Sequence, residues 1–194
     1  MSQLKPRQLD IMQNLAKMLG KKGPVKVTTA LLSKECGISE AAIYRHFPSK
    51  RKVYAGLVDF CEQNLFELIA NINKSDDDAL IKVKKIPLLL ITFSEKNPGL
   101  ARLLTREAFS VDESMLDERI ILLFSKIELQ IKQNLQKYEQ ETKKKLSLST
   151  AASANLLLAT AEGLIQQFVR SGFEESPSER ASDQIGLLIS ALSK

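Results

Sequence analysis

Apolar residues recur every three or four positions along most of the chain, which is the spacing of one face of an α-helix. Glycine, proline and short polar clusters interrupt this pattern, ending one segment and beginning the next. The interruptions predict about nine helices joined by short connections, near residues 5–19, 28–36, 39–46, 48–73, 76–96, 98–109, 112–141, 149–170 and 177–192. The pattern therefore predicts an all-α fold.

Two short predicted helices between Val27 and Lys50 have the spacing of a helix-turn-helix unit. Gly37 lies at their joint, where a sharp turn favours a residue without a side chain. The apolar positions of both helices would pack inward, which leaves a set of small or polar residues facing outward. That set is Thr28, Thr29, Ser39, Glu40, Ala42, Tyr44, Arg45 and His46. Because the second helix of such a unit lies in the major groove, we expect this set and Lys50 to bind DNA.

The side chains of this set differ in what they can contact on DNA. Arg45 carries a guanidinium suited to a base edge, most often guanine. Tyr44, His46 and the hydroxyl and amide of Thr28 suit phosphate oxygens. Lys50 begins a run of three cations in the first turn of the next helix, where the helix dipole favours acids. Such a run indicates an external anion. For two other residues of the set a simpler alternative exists: Tyr44 is a half-buried packing residue, and His46 is only solvated.

The charge of the chain is distributed unevenly. Residues 1–52 contain eleven Lys or Arg against three acidic residues, a net charge of +8, while the remainder carries −3. A basic segment at one end of a mildly acidic protein is typical of a nucleic-acid contact confined to that end. We therefore predict a DNA-binding domain at 1–52 and a helical core, dimerisation and partner or ligand domain at 53–194. The alternative is that the lysines only solubilise the first helix.

The sequence contains no residue pattern typical of an enzyme active site or of a metal site. It contains one histidine, no metal-ligand spacing, no glycine-rich phosphate loop and no nucleophile motif, so we expect no catalysis and no cofactor. The two cysteines lie among apolar neighbours and are predicted to be small core residues. Without a signal-peptide pattern or an apolar run of about 20 residues, the expected location is the cytoplasm.

Small apolar residues recur on the last two predicted helices. Small side chains let helices approach closely, and pairing these helices across a two-fold axis would form a four-helix interface. The residues predicted to form it are Ala154, Leu158, Ala161, Ile165, Phe168, Ile185, Leu188, Ile189 and Leu192. The alternative is that these stripes complete the core of a single protomer.

A second possible function is that of a repressor controlled by a small molecule. Apolar residues of the four middle helices could line a ligand cavity: Leu65, Leu68, Leu88, Phe93, Leu103, Leu104, Phe109 and Phe124. A ligand pocket also needs a few converging polar groups, and the sequence nominates none. Apolar stripes of this kind are more often solid core.

The stretch TTALLSKECGISEAAIYRHFPSK, residues 28–50, resembles the DNA-binding head of the TetR regulators. Two later stretches, EKNPGLARLLT at 95–105 and FVRSGF at 168–173, resemble one branch of that family, the nucleoid occlusion factors of gamma-proteobacteria. The resemblance therefore extends along nearly the whole chain. It implies a TetR-type fold, with an N-terminal three-helix head and a C-terminal helical dimerisation body.

The same resemblance implies a function and partners. Such a protein is a homodimer that binds palindromic chromosomal DNA and, while bound, antagonises polymerisation of the tubulin-like division protein FtsZ. It is expected at the nucleoid in the cytoplasm. The partner surface implied by the family corresponds here to Phe60, Glu95, Lys96 and Asn97, with Lys96 where Arg is usual.

The chain departs from the family pattern at three further places. Leu31 is apolar where a solvated residue is common, and Ser33 replaces a typical alanine. Residues 107–115 look unlike the family. These differences leave the predicted DNA contacts in place and bear on the FtsZ contact instead.

Overall fold

The computed structural model of the chain describes residues 5–23, 26–109 and 115–193. All regular structure in those ranges is helical, without any strand, which confirms the predicted all-α fold. The nine helices are α1 (Pro6–Leu19), α2 (Thr29–Glu35), α3 (Glu40–His46), α4 (Lys50–Lys74), α5 (Ala79–Lys96), α6 (Pro98–Leu104), α7 (Asp117–Thr142), α8 (Thr150–Arg170) and α9 (Ser178–Leu192).

Local sequence explains where several helices begin. The hydroxyls of Thr28, Ser39 and Ser149 accept hydrogen bonds from backbone N–H groups in the first turns of α2, α3 and α8. A side chain that satisfies an otherwise unbonded N–H stabilises a helix start by about 1 kcal/mol. Gly37 adopts φ +64° between α2 and α3, the left-handed conformation that glycine tolerates best. The predicted helix start at residue 39 and the turn at Gly37 are therefore confirmed.

The predicted sixth helix was too long. Helix α6 ends at Leu104, because Thr105 forms the C-cap and Arg106 has φ +66°, a conformation that cannot continue a right-handed helix. The predicted start of the seventh helix at Asp112 lies outside the described residues. Helix α7 is assigned from Asp117 onward, with Asp117 and Glu118 in its first turn.

Packing divides the chain into two compact units. We call Met1–Glu62 with Asn97–Ile120 the head unit, and Gln63–Lys96 with Ile121–Lys194 the body unit. Helices α4 and α7 each contribute residues to both. The predicted boundary after residue 52 separates two functions, and packing does not test it. This boundary therefore stays a prediction.

A close crossing of α1 and α6 organises the head unit. A Cβ atom on Gly99 would lie 1.9 Å from the backbone oxygen of Ala16, so only glycine allows this approach. The buried Arg102 side chain donates from Nη1 to the carbonyls of Leu19 at 2.6 Å and Lys21 at 2.9 Å. Its positive charge therefore lies at the negative end of the α1 dipole and satisfies carbonyls that lack helical partners.

In the body unit, α5 packs against both α8 and α9. The apolar side chains of α5 that face this core, Ile86, Leu90 and Ile91, are almost completely buried. A polar cluster joins α4 to α7: the Asn73 amide donates to Gln130, and the Asn134 amide donates to Asn73. Because amide pairs require a particular alignment, this cluster fixes how the two helices lie along each other.

The α1–α6 crossing predicts that alanine changes the free energy of unfolding in opposite directions at Gly99 and at Gly186. Gly99→Ala should lower the free energy of unfolding by about 3 kcal/mol, because the added methyl group forces the two backbones apart. Gly186→Ala, where a Cβ would meet only Lys84 Nζ at 3.8 Å, should raise it by about 0.5–1 kcal/mol through helix propensity. Urea unfolding monitored by circular dichroism measures both; equal effects would contradict the crossing.

Candidate nucleic-acid interface

Helix α3 is held by its inner face and exposes the opposite one. Ile43 is 1% exposed and Phe47, just after the helix, is 6% exposed, so both anchor α3 in the head unit. Glu40, Tyr44 and Arg45 point outward and are exposed. A short helix anchored in this way presents its outer side chains on a rigid support.

Tyr44 connects α3 to α2. Its hydroxyl donates to the Thr29 hydroxyl at 3.4 Å, while 49% of the residue remains accessible. The contact joins the phenol to α2 while about half of the residue stays accessible, so its role as a DNA contact stays a prediction. This hydrogen bond also joins a polar group at the start of α2 to one in the middle of α3.

Lys50 connects the start of α4 to the start of α2. Its Nζ donates to the carbonyl oxygen of Val27 at 3.3 Å and lies 5.8 Å from the centroid of the Tyr54 ring. The ammonium group is therefore positioned beside the α2 N-cap, Thr28. Arg51 and Lys52 are exposed in the same first turn, which contains no acidic residue.

The far end of α3 is tied to α1. The Gln8 side-chain amide donates to the carbonyl oxygen of His46 at 3.2 Å. This bond fixes the helix end that carries Arg45 and His46. Nothing in the sequence pattern singles out Gln8, because the two bonded residues are 38 positions apart.

All nine residues predicted to contact DNA lie in the head unit, and none is buried. Four are exposed: Ser39, Glu40, Tyr44 and Arg45. Five are partly exposed: Thr28, Thr29, Ala42, His46 and Lys50. The surface combines hydroxyl groups, a guanidinium and an ammonium, which are the groups that bind phosphate oxygens and base edges.

A groove of about 450 Å³ lies on the head unit between α1, α4 and the start of α6. Its lining includes Leu9, Met12, Leu57, Phe60, Asn97 and Pro98. Two of the four residues implied for a partner, Phe60 and Asn97, are thus brought together. The other two, Glu95 and Lys96, belong to the body unit. There the Ser176 hydroxyl donates to Glu95, which lowers the pKa of that carboxyl.

The structure puts most residues predicted for the dimer interface inside the protomer. Seven of them are at most 4% exposed: Ala154, Leu158, Ala161, Ile165, Phe168, Ile185 and Leu192. A side chain buried within one protomer has no surface to offer a second, so these seven serve the core of the body unit. Leu188 and Ile189 are partly exposed.

A second stripe of small or apolar residues occupies the outer face of α8. Ala152, Leu156, Ala159 and Gly163 follow one another at helical spacing and are exposed. On α9, Leu187 is 72% exposed. Ala151 on α8 and Ala191 on α9 are exposed as well.

Comparison with known proteins identifies the family. Residues 11–57 match the family of bacterial regulatory proteins of tetR type, and residues 77–193 match the tetracyclin repressor-like C-terminal domain of SlmA-like proteins. The nucleoid occlusion factor SlmA of Shewanella sediminis (strain HAW-EB3) is 43% identical over 178 residues, covering 92% of this chain and 90% of that protein. The SlmA of Alteromonas mediterranea is 39% identical over 178 residues, covering 92% and 91%.

The chain belongs to the SlmA nucleoid occlusion factors of the TetR family. The predicted resemblance is thereby confirmed, and with it a TetR-type DNA-binding protein that is not an enzyme.

Solved structures agree on the fold. The fatty acid degradation regulator FadR from Bacillus halodurans superposes with a TM-score of 0.81 at 15% identity, covering 97% of each chain. The TetR family regulator PfmR from Thermus thermophilus gives 0.73 at 17% identity, covering 95% of this chain and 96% of its own. At such identities the likeness concerns architecture alone.

The residues that the structure describes lack both a metal-binding cluster and a membrane-spanning helix. They contain no group of three or more His, Cys, Asp or Glu side chains arranged to hold a metal ion. Within the same ranges, no helix combines the length and apolar character needed to cross a membrane.

Proposed function

We propose that this chain acts as a homodimer on palindromic DNA at the nucleoid and, while bound there, antagonises polymerisation of FtsZ. The observation that carries the proposal is an exposed polar surface on α2, α3 and the start of α4, in a chain 43% identical to a nucleoid occlusion factor. The proposal has three parts, which are the DNA contact, the pairing of protomers and the FtsZ contact.

For the DNA contact, α3 enters the major groove with Arg45 directed at a base edge. The partly exposed Ala42 lets the helix backbone approach the bases closely. Phosphate oxygens on one side meet Thr28, Tyr44 and Lys50. The Lys50–Val27 and Tyr44–Thr29 hydrogen bonds support this part, because they hold donors in place before DNA arrives. Less conformational entropy is then lost on binding.

For the pairing of protomers, two heads must reach half-sites separated by about 34 Å along the duplex. The exposed stripe of Ala152, Leu156, Ala159 and Gly163 on α8, with Leu187 on α9, is the surface we assign to the dimer. Small residues at this spacing allow two helices to approach closely, and Leu156 and Leu187 gain burial. Leu188 and Ile189 remain part of the proposed interface at its edge.

For the FtsZ contact, we assign the groove that Phe60 and Asn97 help to line. Its walls are mostly apolar, and Gln13, Lys17 and Asn97 supply polar groups at its rim. A groove of this composition suits an apolar anchor of a peptide whose backbone meets the polar rim. Because α1 forms one wall and also packs on α2, it connects the groove to the helix that begins the proposed DNA surface.

The DNA contact predicts two different losses on a duplex that the purified chain selects from a random library. Arg45→Ala should weaken binding to this duplex by roughly 1–3 kcal/mol and leave binding to random DNA nearly unchanged, since it reads a base. Lys50→Ala should weaken binding to both and reduce the salt dependence by about one counterion. Fluorescence anisotropy across salt concentrations separates the two; an equal loss on both DNAs for Arg45→Ala would make it a phosphate contact.

The FtsZ contact is tested by sedimentation of FtsZ polymers formed with GTP. Adding this chain with its selected duplex should reduce the pelleted FtsZ, whereas the chain with random DNA should not. Phe60→Ala should abolish the reduction while duplex affinity is kept. Phe66→Ala, a partly exposed phenylalanine on α4 in the body unit, is the matched control. No reduction under any condition, with tight duplex binding, would leave a TetR-type repressor and refute FtsZ antagonism.

A further inference from the structure

A second concave surface on the head unit is lined mainly by lysines. It has a volume of about 690 Å³, and Lys21, Lys22, Lys26, Lys34 and Glu35 surround an apolar floor of Met18 and Leu31. We call it the lysine groove. It lies between the end of α1 and the side of α2, and neither the proposed DNA contact nor the proposed FtsZ groove uses it.

The lysine groove already binds one carboxylate, that of its own Glu35. Lys21 Nζ lies 3.1 Å and Lys17 Nζ 3.4 Å from the Glu35 carboxyl oxygens. The hydrogen bond from Lys21 lowers the pKa of this carboxyl, so it is held in its charged form. A side chain of α1 and one from the turn that follows it therefore reach across to α2 to bind an acid.

Two further lysines of the groove have no such partner among the described residues. Lys26 and Lys34 are exposed, and neither forms an ion pair with any residue in the described ranges. Leu31, which lines the same groove, is 48% exposed, although it lies in a helix whose other outward residues are small or polar. Two accessible ammonium groups beside an accessible aliphatic side chain match an acidic segment that also carries an apolar residue.

The α2 side of the lysine groove faces away from the surface proposed to meet DNA. At about 100° per residue, Leu31 and Lys34 lie about 140–160° around the α2 axis from Thr29. Thr29 is the residue bonded to Tyr44 of α3. A DNA backbone on the α3 side therefore does not reach Leu31 or Lys34, and phosphates would gain nothing from the exposed Leu31.

We infer that the lysine groove is a docking site for an acidic peptide segment of another protein, with one aliphatic or aromatic residue seated on Met18 and Leu31. Acidic side chains on both sides of that anchor pair with Lys26 and Lys34, in the way that Glu35 pairs with Lys21. Because this surface and the recognition surface lie on different faces of α2, the segment binds while DNA is bound.

The test is a peptide-display selection against the full-length chain saturated with its selected duplex. Twelve-residue random peptides that bind should be enriched in Asp and Glu around a single Leu, Ile or Phe. Labelled versions, measured by anisotropy, should lose at least tenfold in affinity with K26Q/K34Q and also with Leu31→Gln. The matched control K74Q/K144Q removes two exposed lysines from the body unit and should leave peptide affinity unchanged.

Three results would overturn the inference. Selected peptides without acidic enrichment would do so, as would acidic peptides that bind K26Q/K34Q and Leu31→Gln as well as the unaltered chain. The third result is that no peptide is selected and that K26Q/K34Q weakens duplex binding and lowers the salt dependence of that binding. This result would assign the lysine groove to DNA. Circular dichroism melting of each variant separates these results from misfolding, since all three positions are exposed.

Discussion

The head unit depends on the contact between the α1 backbone and Gly99 at the start of α6. A side chain at this position would collide with the Ala16 carbonyl. Three residues later, Arg102 stabilises the end of α1 by donating to the carbonyls of Leu19 and Lys21. With α1 fixed, Gln8 on the same helix can hold the end of α3 through the His46 carbonyl. The position of the recognition helix thus follows from a backbone approach between α1 and α6, as much as from packing within the helix-turn-helix unit.

The sequence predicted most of the fold because the relevant signals are local. The start of α3 at Ser39 and the turn at Gly37 depend on residues within four positions of each other, and both occur as expected. The end of α6 could not be predicted in this way. Arg106 adopts a left-handed conformation that its residue type does not favour, and the bond from the Ala108 N–H to the Arg102 carbonyl forms only once the chain has turned there. The apolar periodicity up to Phe109 gave no indication of the break.

The site shows the same limit. Side-chain identities between Thr28 and Lys50 indicated a surface, but the bonds that shape it join residues 15 to 38 positions apart. The surface proposed for the dimer shows this limit of the sequence most clearly, because α8 carries two stripes of small or apolar residues. One includes Ala154 and Leu158 and faces the core; the other includes Ala152 and Leu156 and faces outward. Periodicity detects both stripes, and only the position of α5 decides which is buried.

Hydrogen–deuterium exchange of the full-length chain tests the central claim most directly, namely that DNA meets α2, α3 and the start of α4 while FtsZ meets the groove at Phe60. With the selected duplex alone, amides of residues 28–52 should exchange more slowly, whereas those of 57–62 and 97–102 should be unaffected. Adding FtsZ to that complex should slow exchange in 57–62 and 97–102. Protection by DNA outside 28–52, or FtsZ protection confined to the body unit, would contradict the account.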